Sequence, residues 1–160
     1  MSRFLKRGGI VVAVLAVAIQ FLGPSPTNPP IDQTQALPTR EVFDRSCSDC
    51  HSNRTRWPWY SHIAPASWLV VGHVDHARSH MNVSEWAGFT PSESDHMLTN
   101  MCKLARNGRM PLSSYLLLHH DAKLSGDDVA SLCSWTEAVR RGEPGTGAAA
   151  PAASGEATPR

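Results

Sequence analysis

The chain has 160 residues, enough for one domain with extensions, of which 41% are hydrophobic and 18% charged. Its formal net charge of +1 excludes the basic excess of a nucleic-acid-binding surface, so no nucleic acid is expected as a partner. The charge is uneven: three of the 15 basic residues, Arg3, Lys6 and Arg7, precede every acidic one, leaving 12 against 14 acidic side chains in the remainder.

Those three bases lead into Gly8–Gly23, an apolar run interrupted only by Gln20. The run falls short of the ~20 residues of a full span and has the proportions of a signal-peptide core. No small-x-small cleavage site follows, because the chain continues Gly23-Pro24-Ser25-Pro26. Residues 1–23 therefore read as an uncleaved signal anchor, with a cleaved signal peptide as the alternative. The positive-inside bias leaves the remainder outside the cytoplasm. The expected location is the bacterial periplasm, anchored to the inner membrane, or secretion if the segment is cleaved. Residues 24–38 carry Pro24, Pro26, Pro29, Pro30 and Pro38 and read as an extended, semi-rigid tether holding the domain off the membrane.

Residues 39–141 form the domain. Thr39 is a candidate N-cap for a helix through Val42 and Phe43 into Cys47-Ser48-Asp49-Cys50-His51. This stretch reads as a site of covalent c-type haem attachment. Two thiols on one turn of chain can form thioethers along one side of a porphyrin, and the adjacent His51 then offers a nitrogen to the iron. A CxxC also serves zinc sites and redox thiols, which stay open as alternatives.

An aromatic-rich loop follows at Asn53–Tyr60, with Trp57, Trp59 and Tyr60 suited to walling a flat cofactor. Pro65 fits the first turn of a helix to about His80, with Trp68, Leu69 and Val71 as apolar surface. His73, His76 and His80 share one face of it. That face is either a polar, His-rich surface or a metal site, and His73 is an alternative distal haem ligand. After a loop or short turn at Asn82–Trp86, Thr90-Pro91-Ser92-Glu93 is a capping box. It opens a helix to about Asn107, with Gly108 as its stop.

Pro111 pins Met110 in an extended loop, which makes Met110 the candidate distal iron ligand, whereas Met97 and Met101 suit a core. Tyr115–Leu118 is a short apolar segment expected to pack under the domain. Ser125 caps a last helix, with Asp127 and Asp128 at its start and Arg140 and Arg141 at its end. Val129, Leu132, Trp135, Thr136 and Val139 form its buried stripe. Cys133 could pair with Cys102 in an oxidising compartment or remain a buried thiol beside it. From residue 142 the Gly/Ala/Pro-rich tail is expected to be disordered.

Several stretches together resemble a family, the small haem-binding domains related to single-haem cytochromes c. They are Cys47–Asn53, Trp57-Pro58-Trp59-Tyr60-Ser61, Ala64–Val70, His73-Val74, Ser84-Glu85-Trp86, Met110-Pro111-Leu112 and Tyr115–His119, with Asn28-Pro29-Pro30 after the apolar run. The resemblance covers about Thr39 to Arg140. It implies an all-α, extracytoplasmic domain with helices around one covalently attached haem c. In the wider cytochrome c class a Met-Pro about this far beyond the CxxCH supplies the sixth ligand, which matches Met110. The extra imidazoles of His76 and His80 depart from that pattern and keep bis-His ligation open.

The expected function is single-electron transfer to a redox partner protein, with Cys47 and Cys50 holding the haem, His51 proximal and Met110 distal. An electron carrier is favoured over a catalyst. The alternatives are a haem enzyme or gas sensor with an exchangeable distal site, a zinc module, and an interaction module whose haem is structural. Arg54, Arg56, Lys103, Arg106 and Arg109 flank the ligand segments as either a basic docking face or a solvated rim.

Overall fold

The computed structural model describes residues 2–143, and every regular element among them is helical. The tail expected to be disordered lies outside the described residues from position 144 onward. The elements are α1 (Ser2–Ala18), α2 (Glu41–Ser46), α3 (Ser48–His51), α4 (Ala66–His80), α5 (Pro91–Arg106), α6 (Ser113–Leu116) and α7 (Gly126–Arg140). Short 3₁₀ turns at Ile19–Phe21, Trp59–His62, Val83–Gly88 and His120–Ala122 connect them.

The α5–α7 pair builds the core. Leu98, Met101 and Ala105 of α5 cluster with Leu132 and Trp135 of α7, and Phe43 of α2, Met81 and Val83 close the cluster. Trp135 and Phe43 are fully buried, their ring centroids 5.9 Å apart in a tilted arrangement. Each such side chain contributes about 1.5–3 kcal/mol by leaving water. The expected stripe of α7 is borne out at Leu132, Trp135 and Thr136, with Val129 and Val139 partly buried at its margins.

Both long helices start as the sequence predicts. Thr90 and Glu93 form a reciprocal capping box on α5, and Ser125 and Asp128 form one on α7. Gly108 adopts φ 64° just past α5, a left-handed conformation that ends the helix at little steric cost. A disulfide joins Cys102 of α5 to Cys133 of α7, closing the question left open between a bond and two thiols.

Four local expectations are corrected. Thr39 is not the N-cap of α2. Arg40 occupies that position without a side-chain cap, while the Thr39 hydroxyl donates to Asp44 Oδ1 at 2.6 Å. The helix does not run unbroken into the CxxCH, since Cys47 (φ −128°, ψ −31°) separates α2 from α3. Trp68 and Leu69 are 41% and 62% exposed, and of the apolar residues assigned to α4 only Val71 is buried. Leu117 and Leu118 are also exposed. The one-turn α6 directs Tyr115 inward, and the chain then turns back through Leu118 N–H and His119 N–H donating to Tyr115 O.

The proline segment is extended, yet it lies against the domain instead of standing free. Leu37 N–H donates to Val83 O at 2.8 Å, and Ala87 N–H donates to Gln35 O at 3.0 Å. Asn28 Nδ2 donates to Thr55 O at 2.9 Å, while its Oδ1 accepts from Trp57 Nε1 at 3.1 Å. Prolines set an extended path but cannot choose its neighbours. Asn28, Gln35 and Leu37 make these attachments.

Candidate cofactor site

The CxxCH begins at the break between α2 and α3 and finishes α3. Cys47 N–H donates to Phe43 O, whereas Cys50 N–H and His51 N–H both donate to Cys47 O, winding the five residues into one turn. Cys47 and Cys50 are free thiols. Burial, together with the neighbouring thiol and Asp44, pushes Cys47 up to about 12. Burial and Asp49 push Cys50 up to about 11. The pair therefore stands as neutral thiols at pH 7.

His51 is held from one side. Its Nδ1 lies 3.1 Å from Met81 O, the residue that ends α4. A carbonyl accepts only, so Nδ1 carries the proton and the lone pair is on Nε2. Burial pushes the imidazole below its ordinary value, against the raising effect of the backbone carbonyls. The result is a neutral ring with a fixed tautomer, as iron-ligating histidines require. Two free thiols with two residues between them and one oriented imidazole fit a covalently held haem.

The residue inside the motif, Asp49, is a fastener that the sequence reading passed over. Its buried carboxylate accepts from Arg56 N–H at 3.0 Å, Arg56 Nε at 3.2 Å and Arg56 Nη2 at 3.1 Å. It also accepts from the Tyr115 hydroxyl at 2.9 Å. Burial, and then the adjacent carboxylate, push the Tyr115 phenol well above its ordinary value, so it stays a donor. Asp49 thus ties α3 to the loop after the motif and to α6.

Arg78 of α4 supplies the second fastener. Its guanidinium donates to Ser52 O at 3.0 Å, Thr27 O at 3.1 Å, Asn28 Oδ1 at 2.9 Å and Thr55 Oγ1 at 2.8 Å. It also lies over the Trp57 ring, 5.9 Å from its centroid. Beside it, Asn82 Nδ2 donates to Asn53 Oδ1 at 2.9 Å, and Asn53 N–H donates to the Ser84 hydroxyl at 2.9 Å. An acidic residue within a CxxCH and an arginine near the end of a polar helix are the signals that could have pointed to these two roles.

Met110 is half-buried at the end of the turn that closes α5. Its N–H and that of Arg109 donate to Leu104 O at 3.3 and 3.0 Å. Five residues on, Tyr115 makes its bond to Asp49, so the Met110 segment and the attachment turn are linked through α6. His73, His76 and His80 are exposed on α4. The His76 and His80 rings lie with centroids 4.4 Å apart, tilted by 52°, and His80 Nδ1 lies 3.0 Å from His76 O. Among the described residues, no group of three or more His, Cys, Asp or Glu side chains is arranged to hold a metal ion.

The five flanking basic residues are not equivalent. Arg56 is committed to Asp49, and Arg54 Nη2 reaches Gln33 Oε1 at 3.5 Å. Lys103 and Arg106 line a groove of about 320 Å³ on the α5–α7 seam, together with Arg140 and Glu137. That groove contains none of the CxxCH residues, and it belongs to the structural pair rather than to the site.

A family model described as a haem-binding domain matches residues 14–138, a stretch that includes the CxxCH, Met110 and nearly all of α7. No curated protein and no solved structure matches the chain. The match spans well over half of the sequence, and the chain belongs to the haem-binding domain family: it is a haem-binding protein.

Proposed function

We propose that this protein is an extracytoplasmic, single-haem c-type cytochrome that passes single electrons to a redox partner. The observation that carries the reading is the pair of free thiols Cys47 and Cys50 on one turn beside His51, whose Nδ1 is engaged by Met81 O. Cys47 and Cys50 would hold the porphyrin through thioethers, His51 would ligate iron through Nε2, and Met110 would be the second iron ligand. A bound haem supplies one-electron redox chemistry, with Met/His ligation favouring a higher potential than electron-rich ligand sets. The chain orients the proximal imidazole through Met81, holds the attachment turn through Asp49 and fixes the Met110 loop on Leu104. Lys103, Arg106 and Arg109 are the basic side chains left for an acidic partner. The basic N-terminus and apolar α1 support an uncleaved anchor in the inner membrane with the domain in the periplasm.

The test is spectroscopic. Full-length protein co-expressed with c-type maturation machinery should carry haem that survives denaturation and acid extraction, and Cys47→Ala/Cys50→Ala should abolish this. A sulfur-to-iron absorption band in the oxidised protein, lost in Met110→Ala and kept in His73→Ala, would support His51/Met110 ligation. Loss of low-spin character in His73→Ala alone would transfer the distal role to His73. High-spin iron that binds carbon monoxide rapidly would overturn the carrier reading in favour of an open-site enzyme or sensor.

A further inference from the structure

Apart from Leu112, Leu117 and Leu118 at α6, the large exposed apolar residues of the domain lie in the segment that meets the end of its N-terminal helix. Trp59 is 76% exposed, Ile63 48%, Trp68 41% and Leu69 62%. Trp59 opens the Trp59–His62 turn, Ile63 directly follows it, and Trp68 and Leu69 lie in the first turn of α4; the turn and α4 pack against each other. From Trp57 to Val74, between Arg56 and Asp75, the sequence contains no Asp, Glu, Lys or Arg. A stretch of that length without a charged residue that leaves four large apolar side chains exposed is unusual beside water.

This surface is fastened to the end of the apolar helix. Gln20 Nε2 donates to Ala64 O at 3.3 Å, and Ala64 N–H donates back to Gln20 Oε1 at 2.9 Å. Trp68 Nε1 donates to Leu22 O at 2.6 Å. Gly23 has φ 138°, and a Cβ there would fall 2.2 Å from Trp68 Nε1, so only glycine lets the indole sit down on the chain. The apolar segment Phe4–Phe21 has 18 residues, none buried in the protein. At 1.5 Å per residue it is ~27 Å long, close to the ~30 Å hydrocarbon thickness. A helix that uses this length to cross a bilayer places Gln20 and Leu22 at the headgroup level, and Ala64 and Trp68 are bonded to them.

We propose that Trp59, Ile63, Trp68 and Leu69 form a docking surface for the lipid interface of the membrane that α1 enters, so that the domain lies on that membrane in one fixed pose. The occupant is the headgroup and upper acyl region of the bilayer, where tryptophan is favoured because its ring is apolar and its N–H polar. Helix α4 then acts as a strut. Its first turn meets the lipid, and its last turn leads to Met81, whose carbonyl holds His51. From Leu69 to His80 this is a rise of roughly 16 Å. The proposal rests on the anchor reading of α1, and the experiment separates the two.

Full-length, haem-loaded protein is reconstituted in phosphatidylethanolamine/phosphatidylglycerol vesicles with benzoylphenylalanine, a photo-crosslinker, replacing one residue at a time. Ile63 and Leu69 probe the surface, Val12 the anchor, and the exposed Glu137 of α7 serves as the control. Unchanged haem absorption shows that each variant has folded. Lipid adducts at positions 12, 63 and 69 with none at 137 are expected. Adducts at 12 but none at 63 and 69, or crosslinks there to porphyrin or to a second copy, would overturn the docking surface and leave the anchor standing. No lipid adduct at 12 would remove the anchor reading, and the proposal with it.

Discussion

The two halves of the domain are held together by different physics. Around α5 and α7 the interior is apolar, with Leu98, Met101, Leu132 and Trp135 packed on Phe43 and a disulfide across the pair. Around α3 and the start of α4 the interior is polar. Ser48, Asp49, Ser52, Asn53, Thr55, Ser61, Ser67, Asn82 and Ser84 are all buried, whereas Thr136 is the one buried polar residue of α5 and α7. Apolar packing is non-directional and tolerates small shifts, while hydrogen-bonded groups fix position and angle. The first half supplies stability, and the second sets the register of the CxxCH.

The sharpest way to break this division is to empty the apolar half. Trp135→Ala should cost about 3–5 kcal/mol in urea unfolding. Trp135→Phe should cost far less, because the indole N–H is buried without a partner. The disulfide comes next. It spans 31 residues in sequence, and a loop of that size constrains the unfolded chain by about 3–4 kcal/mol. Cys102→Ala/Cys133→Ala should lower the unfolding midpoint accordingly and leave the haem spectrum unchanged.

On the polar side, Asp49→Ala should cost only about 1–3 kcal/mol. Arg56, 65% exposed in its side chain, finds water once released, and the salt bridge itself contributes little. Its larger signature should be spectral heterogeneity of the haem, since α3 loses its tie to α6. A loss of stability equal to that of Trp135→Ala would show that the division is false.

The smallest effect belongs to the α7 cap, where Ser125→Ala should cost about 1 kcal/mol. The Ser125 backbone N–H, the Ser125 hydroxyl and Arg45 together hold the Asp128 carboxyl below its ordinary range. A depressed carboxylate stabilises the fold at neutral pH, and that contribution disappears as pH falls below about 4 toward the folded value. Asp128→Asn should therefore flatten the acid limb of the stability curve measured by circular dichroism.

How legible each half was in the sequence follows from the same contrast. The α5–α7 half announced itself, because capping boxes and an apolar stripe are local patterns with a fixed period. Cys47, Cys50 and His51 were legible for a similar reason, being adjacent in the chain. Asp49, Tyr115, Arg78 and Asn82 were not. Their partners lie 66, 26 and 29 positions away in the bonds Tyr115–Asp49, Arg78–Ser52 and Asn82–Asn53, and no periodicity records such pairings. The exposure of Trp68 and Leu117 was missed because hydrophobicity indicates a preference for leaving water and does not name what provides the cover.

The disulfide has a further consequence, which is one of sorting. Four cysteines can pair in three ways when two bonds form. The proposed thioether attachment would need Cys47 and Cys50 reduced, whereas Cys102 and Cys133 are joined in a disulfide. The fold separates these fates by assigning Cys102 and Cys133 to facing helices, where each sulfur has the other as its partner. What remains is one pair, three positions apart on a single turn, with no third thiol to capture either member. The structural half of the domain thus keeps two of the four sulfurs bonded to each other and leaves the other two to the proposed attachment turn.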